Sequence, residues 1–229
     1  MPADTIPSII KVLLVEDHPM FRERLASIIA KRGDMCVCGE ADNVNDAIAC
    51  AEATQPNIAI VDITLRGSNG LDFLKDLKAR EINLPVLVLS MHDEAIYAER
   101  VLRAGARGYI MKEAGGDNLL AAIRQIIGGE VYLSPRMSAR IFDHLSSRRP
   151  RGSSSPIQNL TDREFEVFQL IGHGKSTRDV AVQLHLSPKT VDVHRGHIKA
   201  KLDLGNATAL VRHAVRWVES AGSEDHGAV

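Results

Sequence analysis

Short apolar runs alternate with helical patterns along the first part of the chain. The apolar runs show little alternation with polar residues, and they are Lys11–Val15, Met35–Gly39, Ile58–Val61, Val86–Leu89 and Gly108–Met111. Runs of this kind favour strands that are buried on both faces of a parallel sheet. The segments between them have helical spacing and are Met20–Lys31, Asn45–Ala53, Leu71–Arg80, Glu94–Ala104 and Asp117–Ile127. This alternation predicts an α/β fold with a five-stranded, doubly wound parallel sheet.

The pattern changes after a stretch around residues 146–156 that is rich in Gly, Pro and Ser, a composition typical of a linker. No strand-like run follows it. Three helix starts instead carry capping signals, namely Thr161 with Glu164, Ser176, and Ser187 before Pro188. A last helix is predicted over about residues 207–218. A helix, a short turn and a second helix are typical of DNA-reading domains, so we predict a small all-α helix-turn-helix domain.

These patterns divide the chain into four predicted segments. They are an α/β domain at 8–128, a linker region at 129–158, the helix-turn-helix domain at 159–219 and a flexible tail at 220–229. The charge distribution agrees with this division, because residues 1–146 carry 16 basic and 20 acidic residues whereas residues 147–229 carry 12 and 9. The difference indicates two modules with different partners.

Composition narrows the class of protein. The chain has 229 residues, of which 45% are hydrophobic and 25% are charged, a balance typical of globular proteins. No stretch approaches the roughly 20 apolar residues of a membrane span, and the start lacks the features of a signal peptide. We therefore expect a cytoplasmic protein with no membrane partner. Three cysteines do not make a disulfide scaffold, and we interpret Cys36 and Cys38 as part of a buried strand rather than a metal site.

Polar residues stand at the carboxyl ends of four predicted strands. Glu16 and Asp17 follow the first strand, Asp62 the third, Ser90 the fourth and Lys112 the fifth. Parallel strands end at one edge of the sheet, so these side chains are expected to meet there. Three carboxylates that converge repel one another, and Mg²⁺ suits such an oxygen-rich site. A carboxylate beside the metal can accept a phosphoryl group, and the metal and a lysine can neutralise the phosphoryl oxygens.

Residues Val12–Ile127 resemble the receiver domain of two-component response regulators. The resemblance is carried by Val15-Glu16-Asp17-His18, Ile60-Val61-Asp62, Leu89-Ser90 and Gly108-Tyr109-Ile110-Met111-Lys112. It implies a flavodoxin-like sheet, a histidine kinase as partner and Asp62 as the phosphoacceptor. It further implies that Glu16, Asp17, Asp62 and the Thr64 carbonyl form a Mg²⁺ site. Ser90 and Lys112 would bind the phosphoryl group, and Tyr109 would be an aromatic switch. The sequence departs from the family where Arg66, instead of a proline, precedes Gly67.

The helix predicted from Pro188 to Lys201 has an unusual outer face. Val191, Ile198 and Leu202 share one side and are expected to pack inward. The opposite side carries Lys189, Val193, Gly196 and Ala200. A valine methyl and a missing side chain suit a helix pressed into the major groove, and nearby lysines can neutralise phosphates. The alternative is an ordinary bundle helix whose lysines are solvated.

The segments Leu160–Val167, Gly174-Lys175-Ser176 and Ser187–Arg195 resemble the LuxR-type DNA-binding domain. With the receiver resemblance, the chain is similar to NarL/FixJ-family response regulators. The resemblance implies binding to double-stranded DNA, with Asp192, Val193 and Gly196 facing bases and Lys189, Thr190 and Lys199 facing the backbone. It also implies a homodimer on DNA. Val211 and Val218 are candidate dimer contacts, and a role in folding alone is the alternative for both.

We therefore predict a phosphorylation-controlled transcription regulator that is not an enzyme, except that it assists its own phosphotransfer. Two alternatives remain open. A phosphatase of the haloacid-dehalogenase type would need a second aspartate two residues after Asp62, where this sequence has Thr64. A receiver-fold interaction module that regulates DNA binding without phosphorylation is the other alternative. The sequence leaves open whether phosphorylation releases the DNA-binding domain or dimerises it.

Overall fold

The chain divides into two units, residues 1–146 and residues 147–229. The computed structural model describes residues 9–65, 68–91, 94–135, 137–139 and 156–223. Arg66, Gly67, most of the predicted linker and the last residues of the predicted tail lie outside the described residues. Among the helices that the structure describes, none is both long and apolar enough to cross a membrane.

The first unit alternates strands and helices along the chain. Its strands are β1 (Ile10–Val15), β2 (Met35–Ala41), β3 (Ile58–Asp62), β4 (Thr64–Leu65), β5 (Ser68–Asn69), β6 (Val86–Ser90) and β7 (Gly108–Met111). Its helices are α1 (Pro19–Ala30), α2 (Val44–Thr54), α3 (Gly70–Ala79), α4 (Glu94–Ala104) and α5 (Gly116–Ile127). Each of the five predicted strands and five predicted helices is present, with ends within two residues of the prediction.

One parallel sheet forms the centre of this unit, with strand order β2-β1-β3-β6-β7. The predicted doubly wound α/β fold is confirmed. The middle strands β3 and β6 are buried along their whole length, as their unbroken apolar sequences predict. Because all strands run the same way, β1, β3, β6 and β7 end at one edge of the sheet. The register pairs Asp62 with Leu89 and Ser90 with Met111 at that edge.

Strand β2 differs from the interpretation given to its cysteines. Among the strands that the structure describes, it lies at the edge of the sheet and pairs only with β1, and the register shifts between Val12 and Leu13. Cys36 is exposed and Cys38 is only partly buried, so the prediction of a buried strand was wrong here. An edge strand lacks a neighbour on one side, which leaves part of it in solvent.

The second unit is all-helical within the described residues. A 3₁₀ turn over Pro156–Asn159 precedes α6 (Asp162–Gly172), α7 (Thr177–Gln183), α8 (Pro188–Lys201) and α9 (Ala207–Ser223). The predicted caps are confirmed, because the side chains of Thr161, Ser176 and Ser187 each accept a hydrogen bond from a backbone N–H in the first helical turn. Helix α9 extends five residues beyond its predicted end at residue 218.

Aromatic side chains hold α6 and α9 together. The Trp217 ring meets the Phe165 ring edge-on at 5.4 Å and the Phe168 ring at 5.8 Å. Gly172 allows the close approach of the two helices, because a Cβ there would come 2.7 Å from the Ala214 carbonyl oxygen. Helices α7 and α8 form the predicted helix-turn-helix pair, and Val191 and Ile198 bury the inner face of α8.

Candidate functional site

Acidic side chains converge at the carboxyl edge of the sheet. Glu16 and Asp17 follow β1, Asp62 ends β3, and all three residues are buried. One ligand atom from each of them, together with one from exposed His18, lies within 4.8 Å of the others. Asp17 Oδ1 lies 2.8 Å from His18 Nδ1. The structure thus brings together three predicted site residues that are up to 46 positions apart in the chain.

Lys112 bridges two of these carboxylates from the end of β7. Its Nζ lies 2.7 Å from Glu16 Oε2 and 2.8 Å from Asp62 Oδ2, and its side chain is only 8% exposed. The ammonium also lies 4.5 Å from the centre of the Phe21 ring. The backbone N–H of Lys112 donates to the Ser90 carbonyl oxygen at 2.8 Å, which ties the ends of β6 and β7 together.

The pKa values reflect crowding of charge in this pocket. Burial, together with the neighbouring charge of Glu16, raises the pKa of Asp62 to about 6, although Lys112 opposes the rise. Burial alone would lower the pKa of Lys112, but the charges of Asp62 and Glu16 outweigh it and raise that pKa. The pocket holds three carboxyl groups and one ammonium group, that of Lys112, so it has carboxylate oxygens with which to bind a further cation. This donor set of hard oxygen atoms fits Mg²⁺.

The loop after β3 fixes the orientation of Asp62. The Thr64 N–H donates to Asp62 Oδ1 at 3.3 Å, while Lys112 binds the other carboxylate oxygen. Gly70 lies against the Asp62 carbonyl group, and a Cβ at that position would collide with the carbonyl oxygen. The Gly70 N–H donates to the Ile63 carbonyl oxygen at 2.8 Å. Strands β4 and β5 form a small antiparallel pair in this loop that the sequence did not predict.

Ser90 and Tyr109 lie in β6 and β7, the two strands that follow β3 across the sheet. Ser90 ends β6 and Tyr109 lies within β7, and both residues are completely buried. Tyr109 therefore points into the protein in this structure. The register of the sheet pairs Tyr109 with Val88 of β6.

Sequence reasoning missed one residue that supports the acidic pair. Arg22, on the first turns of α1, donates from Nη1 to the Glu16 carbonyl oxygen at 2.7 Å and from Nε to Glu40 at 2.9 Å. It thereby fixes the turn that carries Glu16 and Asp17. The sequence feature that could have predicted this role is the position of Arg22 near the start of α1, the helix that directly follows Glu16 and Asp17.

The outer face of α8 is open to solvent. Lys189, Asp192 and Gly196 are exposed, Val193 is 49% exposed, and Thr190 and Lys199 are partly buried at the margins of the face. A Cβ built on Gly196 would meet no atom within 4 Å. The Ser187 and Thr190 hydroxyl groups lie 2.8 Å apart at the start of the helix. All six predicted DNA-facing residues thus lie on one helix, with an apolar patch at its centre.

Polar contacts to the buried Glu164 side chain hold α8 against α6. Glu164 accepts from Lys201 Nζ at 2.7 Å and from the Thr161 N–H at 2.8 Å. Burial alone would raise the pKa of Glu164, but these hydrogen bonds lower it. Arg163 donates to the Leu184 carbonyl oxygen at 2.6 Å, which joins α6 to the end of α7. The sequence predicted the capping role of Glu164 but gave no sign of its pairing with Lys201.

The two predicted dimer contacts differ in environment. Val211 is 40% exposed on α9. Val218 is only partly exposed, and its Cγ2 lies over Gly172 of the same unit. Val211 is therefore more exposed than Val218.

Comparison with known proteins gives matches in both units. The model of the response regulator receiver domain matches residues 12–124, and that of bacterial regulatory proteins of the luxR family matches residues 158–214. Response regulator GacA of Pseudomonas aeruginosa is 31% identical over 207 residues, which cover 90% of this chain and 96% of GacA. The structure of ChrA, a response regulator of a heme-sensing two-component system, is 30% identical with a TM-score of 0.50, covering 93% of this chain and 99% of ChrA. A LuxR-family response regulator from Aurantimonas sp. SI85-9A1 is 29% identical with a TM-score of 0.56, covering 60% of this chain and 99% of that structure.

Proposed function

Because this chain belongs to the two-component response regulators that join a receiver domain to a LuxR-type DNA-binding domain, we propose that Asp62 is its phosphoacceptor and that α8 reads DNA. The receiver domain is assigned to residues 8–128 and the DNA-binding domain to residues 159–219, with the linker at 129–158. The observation that carries the proposal is the convergence of Glu16, Asp17, Asp62 and Lys112 in one buried pocket. Family membership favours this function over an interaction module that works without phosphorylation.

The phosphoryl donor is a phosphohistidine of a partner kinase. A carboxylate oxygen of Asp62 attacks the phosphorus, and the new P–O bond forms as the P–N bond breaks. The electron pair of the P–N bond leaves with the imidazole, which takes up a proton. Asp62 must be ionised to attack, and its pKa of about 6 leaves it mostly ionised at neutral pH. The Thr64 N–H and Lys112 hold its two oxygens in fixed directions.

Mg²⁺ is the proposed cofactor, held by Glu16, Asp17, Asp62 and the Thr64 carbonyl oxygen. The support is the cluster of hard oxygen donors, whose acids outnumber the single ammonium of Lys112. When bound, Mg²⁺ supplies positive charge that offsets the charge on the phosphoryl oxygens. Lys112 already contacts Asp62, so its ammonium is in position to bind a phosphoryl oxygen added there.

Ser90 and Tyr109 are the proposed switch residues. The Ser90 hydroxyl would bind a phosphoryl oxygen, which draws the end of β6 toward Asp62. The buried position of Tyr109 in the neighbouring strand supports a role in reporting that movement. Phosphorylation would in this way shift the receiver between two states.

Helix α8 is proposed to enter the major groove of double-stranded DNA. Asp192, Val193 and Gly196 would face base edges, supported by the exposed valine and the open space at the glycine. Lys189, Thr190 and Lys199 would contact the backbone. A homodimer on DNA, with Val211 of α9 at the contact, would match an inverted repeat. DNA binding by a chain of this bacterial family agrees with a cytoplasmic location.

Phosphoryl labelling tests the receiver assignment. The full chain is incubated with radiolabelled acetyl phosphate, with Mg²⁺ or with EDTA. We expect acid-stable label on the wild type only with Mg²⁺, and none on Asp62→Asn. The matched control is Asp34→Asn. Asp34 is a half-exposed aspartate just before β2, at the amino end of that strand and therefore away from the carboxyl ends where Asp62 lies. Label that persists on Asp62→Asn would remove Asp62 from this role.

Selection of bound sequences from a random DNA pool tests the output. The selection is run with and without acetyl phosphate. A response regulator should enrich one sequence more strongly when it is phosphorylated. Equal enrichment of all sequences under both conditions would contradict control of sequence-specific binding.

A further inference from the structure

The chain that leaves α5 returns to the sheet and runs beside β7. We call residues 130–135 the strap. The Tyr132 N–H donates to the Arg107 carbonyl oxygen at 2.9 Å, and the Tyr109 N–H donates to the Tyr132 carbonyl oxygen at 3.1 Å. Gly108 and Tyr132 form a parallel bridge, and the Gln125 side chain donates to the Val131 carbonyl oxygen at 2.9 Å. The strap therefore covers the outer edge of β7.

A second attachment joins the strap to α4. Glu94, the first residue of α4, accepts from the Ser134 N–H through Oε1 at 2.9 Å. Ser134 in turn accepts from the Met137 N–H at its hydroxyl oxygen and from the Ser138 N–H at its carbonyl oxygen. Met137 is buried in this unit. Burial, and secondarily the charge of Glu94, raise the pKa of Tyr132, which agrees with a carboxylate held close to the strap.

One attachment is made by a proposed switch residue, and the other lies a few positions after one in the chain. Tyr109 is the proposed aromatic switch, and its backbone N–H holds the strap. Glu94 begins α4 only four positions after Ser90 in the chain, so we expect a movement of Ser90 toward Asp62 to shift Glu94. The strap is itself the first part of the region predicted as the linker, residues 129–158, which precedes the second unit.

From this arrangement we propose that the strap is a phosphorylation-released restraint on the linker, held by the hydrogen bond between Glu94 and the Ser134 backbone. The inference rests on Asp62 being the phosphoacceptor. In the unphosphorylated chain the bond keeps the start of the linker against β7 and α4. Movement of Ser90 and α4 breaks the bond and frees the linker, which changes how the second unit meets DNA. Loss of one charge-assisted hydrogen bond shifts such an equilibrium by roughly tenfold or more.

Hydrogen exchange on the full chain tests this restraint. Exchange is followed in peptides that cover residues 129–139, while acetyl phosphate labelling of the same sample is measured by intact mass. In the wild type we expect the Tyr132 and Ser134 amides to exchange about tenfold faster once the chain is labelled. Glu94→Ala should show the faster exchange without any label. It should also bind a duplex from the selected pool several-fold more tightly than the unlabelled wild type.

Two further variants keep the result interpretable. Glu130→Ala removes an exposed acid at the start of the strap and should leave exchange unchanged. Glu94→Gln keeps an oxygen acceptor without the charge and should fall between the wild type and Glu94→Ala, which also provides a reading if the alanine variant fails to fold.

The outcomes separate the two levels of the argument. A labelled chain whose strap exchanges no faster overturns the restraint and leaves the phosphoacceptor assignment intact. Equal exchange in Glu94→Ala, Glu94→Gln and the wild type overturns it as well. A wild type that takes no label contradicts the phosphoacceptor assignment itself, and it overturns the restraint because its trigger is then missing.

Discussion

Lys112 Nζ lies 2.8 Å from Asp62 Oδ2, and both side chains are almost completely buried. The same ammonium lies 2.7 Å from Glu16. Asp62 thus has one neighbour that favours its charge and one that opposes it. Its pKa of about 6 is the balance of burial, which raises the pKa most, Glu16, which raises it further, and Lys112, which lowers it.

Two substitutions should move the pKa of Asp62 in opposite directions. Glu16→Gln removes a like charge and should lower this pKa, whereas Lys112→Met removes the paired cation and should raise it. The measurement is a carbon-13 NMR titration of the Asp62 carboxyl group in EDTA. Asp34→Asn, at the far edge of the sheet, serves as the control and should leave the titration unchanged. Shifts of the same sign in both variants would contradict this account of the pocket.

The raised pKa also predicts how stability depends on pH. Folding favours the protonated form of Asp62, so its contribution to stability is fully present below pH 3.8, the ordinary pKa of an aspartate, and is lost as pH rises through about 6. The loss amounts to about 3 kcal/mol of unfolding free energy. Asp62→Asn should lack this loss, so the difference between wild type and variant in EDTA should grow between pH 4 and pH 7.

The aromatic residues allow this effect to be measured in one unit at a time. All three tyrosines lie in the first unit and the single tryptophan, Trp217, lies in the second. Urea unfolding followed by tyrosine near-ultraviolet signals should show the pH-dependent difference, and Trp217 fluorescence should not. If the difference in first-unit stability between the wild type and Asp62→Asn is the same at pH 4 as at pH 7, the raised pKa of Asp62 is refuted.

The site was predictable from sequence where strand direction determined it. Glu16, Asp62 and Lys112 each follow an apolar run, and parallel strands bring such positions to one edge whatever their distance in the chain. The caps at Thr161 and Ser187 were predictable because their partners lie within one helical turn.

Other features depend on contacts that leave no local pattern. Lys201 pairs with Glu164 although 37 positions separate them in the chain, and the sequence around either residue gives no sign of the pairing. Cys36 was misread because strand sequence does not reveal whether a strand lies at the centre or the edge of a sheet. The strap was hidden in a stretch that the sequence marked as linker, since its attachment to Arg107 and Tyr109 is made by backbone atoms.

Lys189 is exposed at the start of α8, where a phosphate contact is proposed. Lys189→Ala should weaken binding to all DNA sequences alike and reduce the slope of log affinity against log salt concentration by about 1. Fluorescence anisotropy titrations over a series of salt concentrations provide the measurement. Lys78→Ala, which removes an equal charge from the exposed face of helix α3 in the first unit, is the control. A slope that stays the same in Lys189→Ala would count against a phosphate contact there.

Gly196 allows folding to be separated from DNA recognition. It lies on the exposed face of α8, where a Cβ would meet no atom within 4 Å, so Gly196→Ala should fold normally and gain about 0.5–1 kcal/mol of helix stability. If the backbone at Gly196 approaches the groove closely, the added methyl group should weaken binding to the selected duplex by roughly tenfold, or about 1.4 kcal/mol. Gly172→Ala is the contrasting variant, because its Cβ would crowd the Ala214 carbonyl and lower the stability of the second unit. Urea unfolding followed by Trp217 fluorescence and anisotropy binding are measured on both variants. A Gly196→Ala chain that is stable and binds DNA with unchanged affinity would place Gly196 outside the DNA interface.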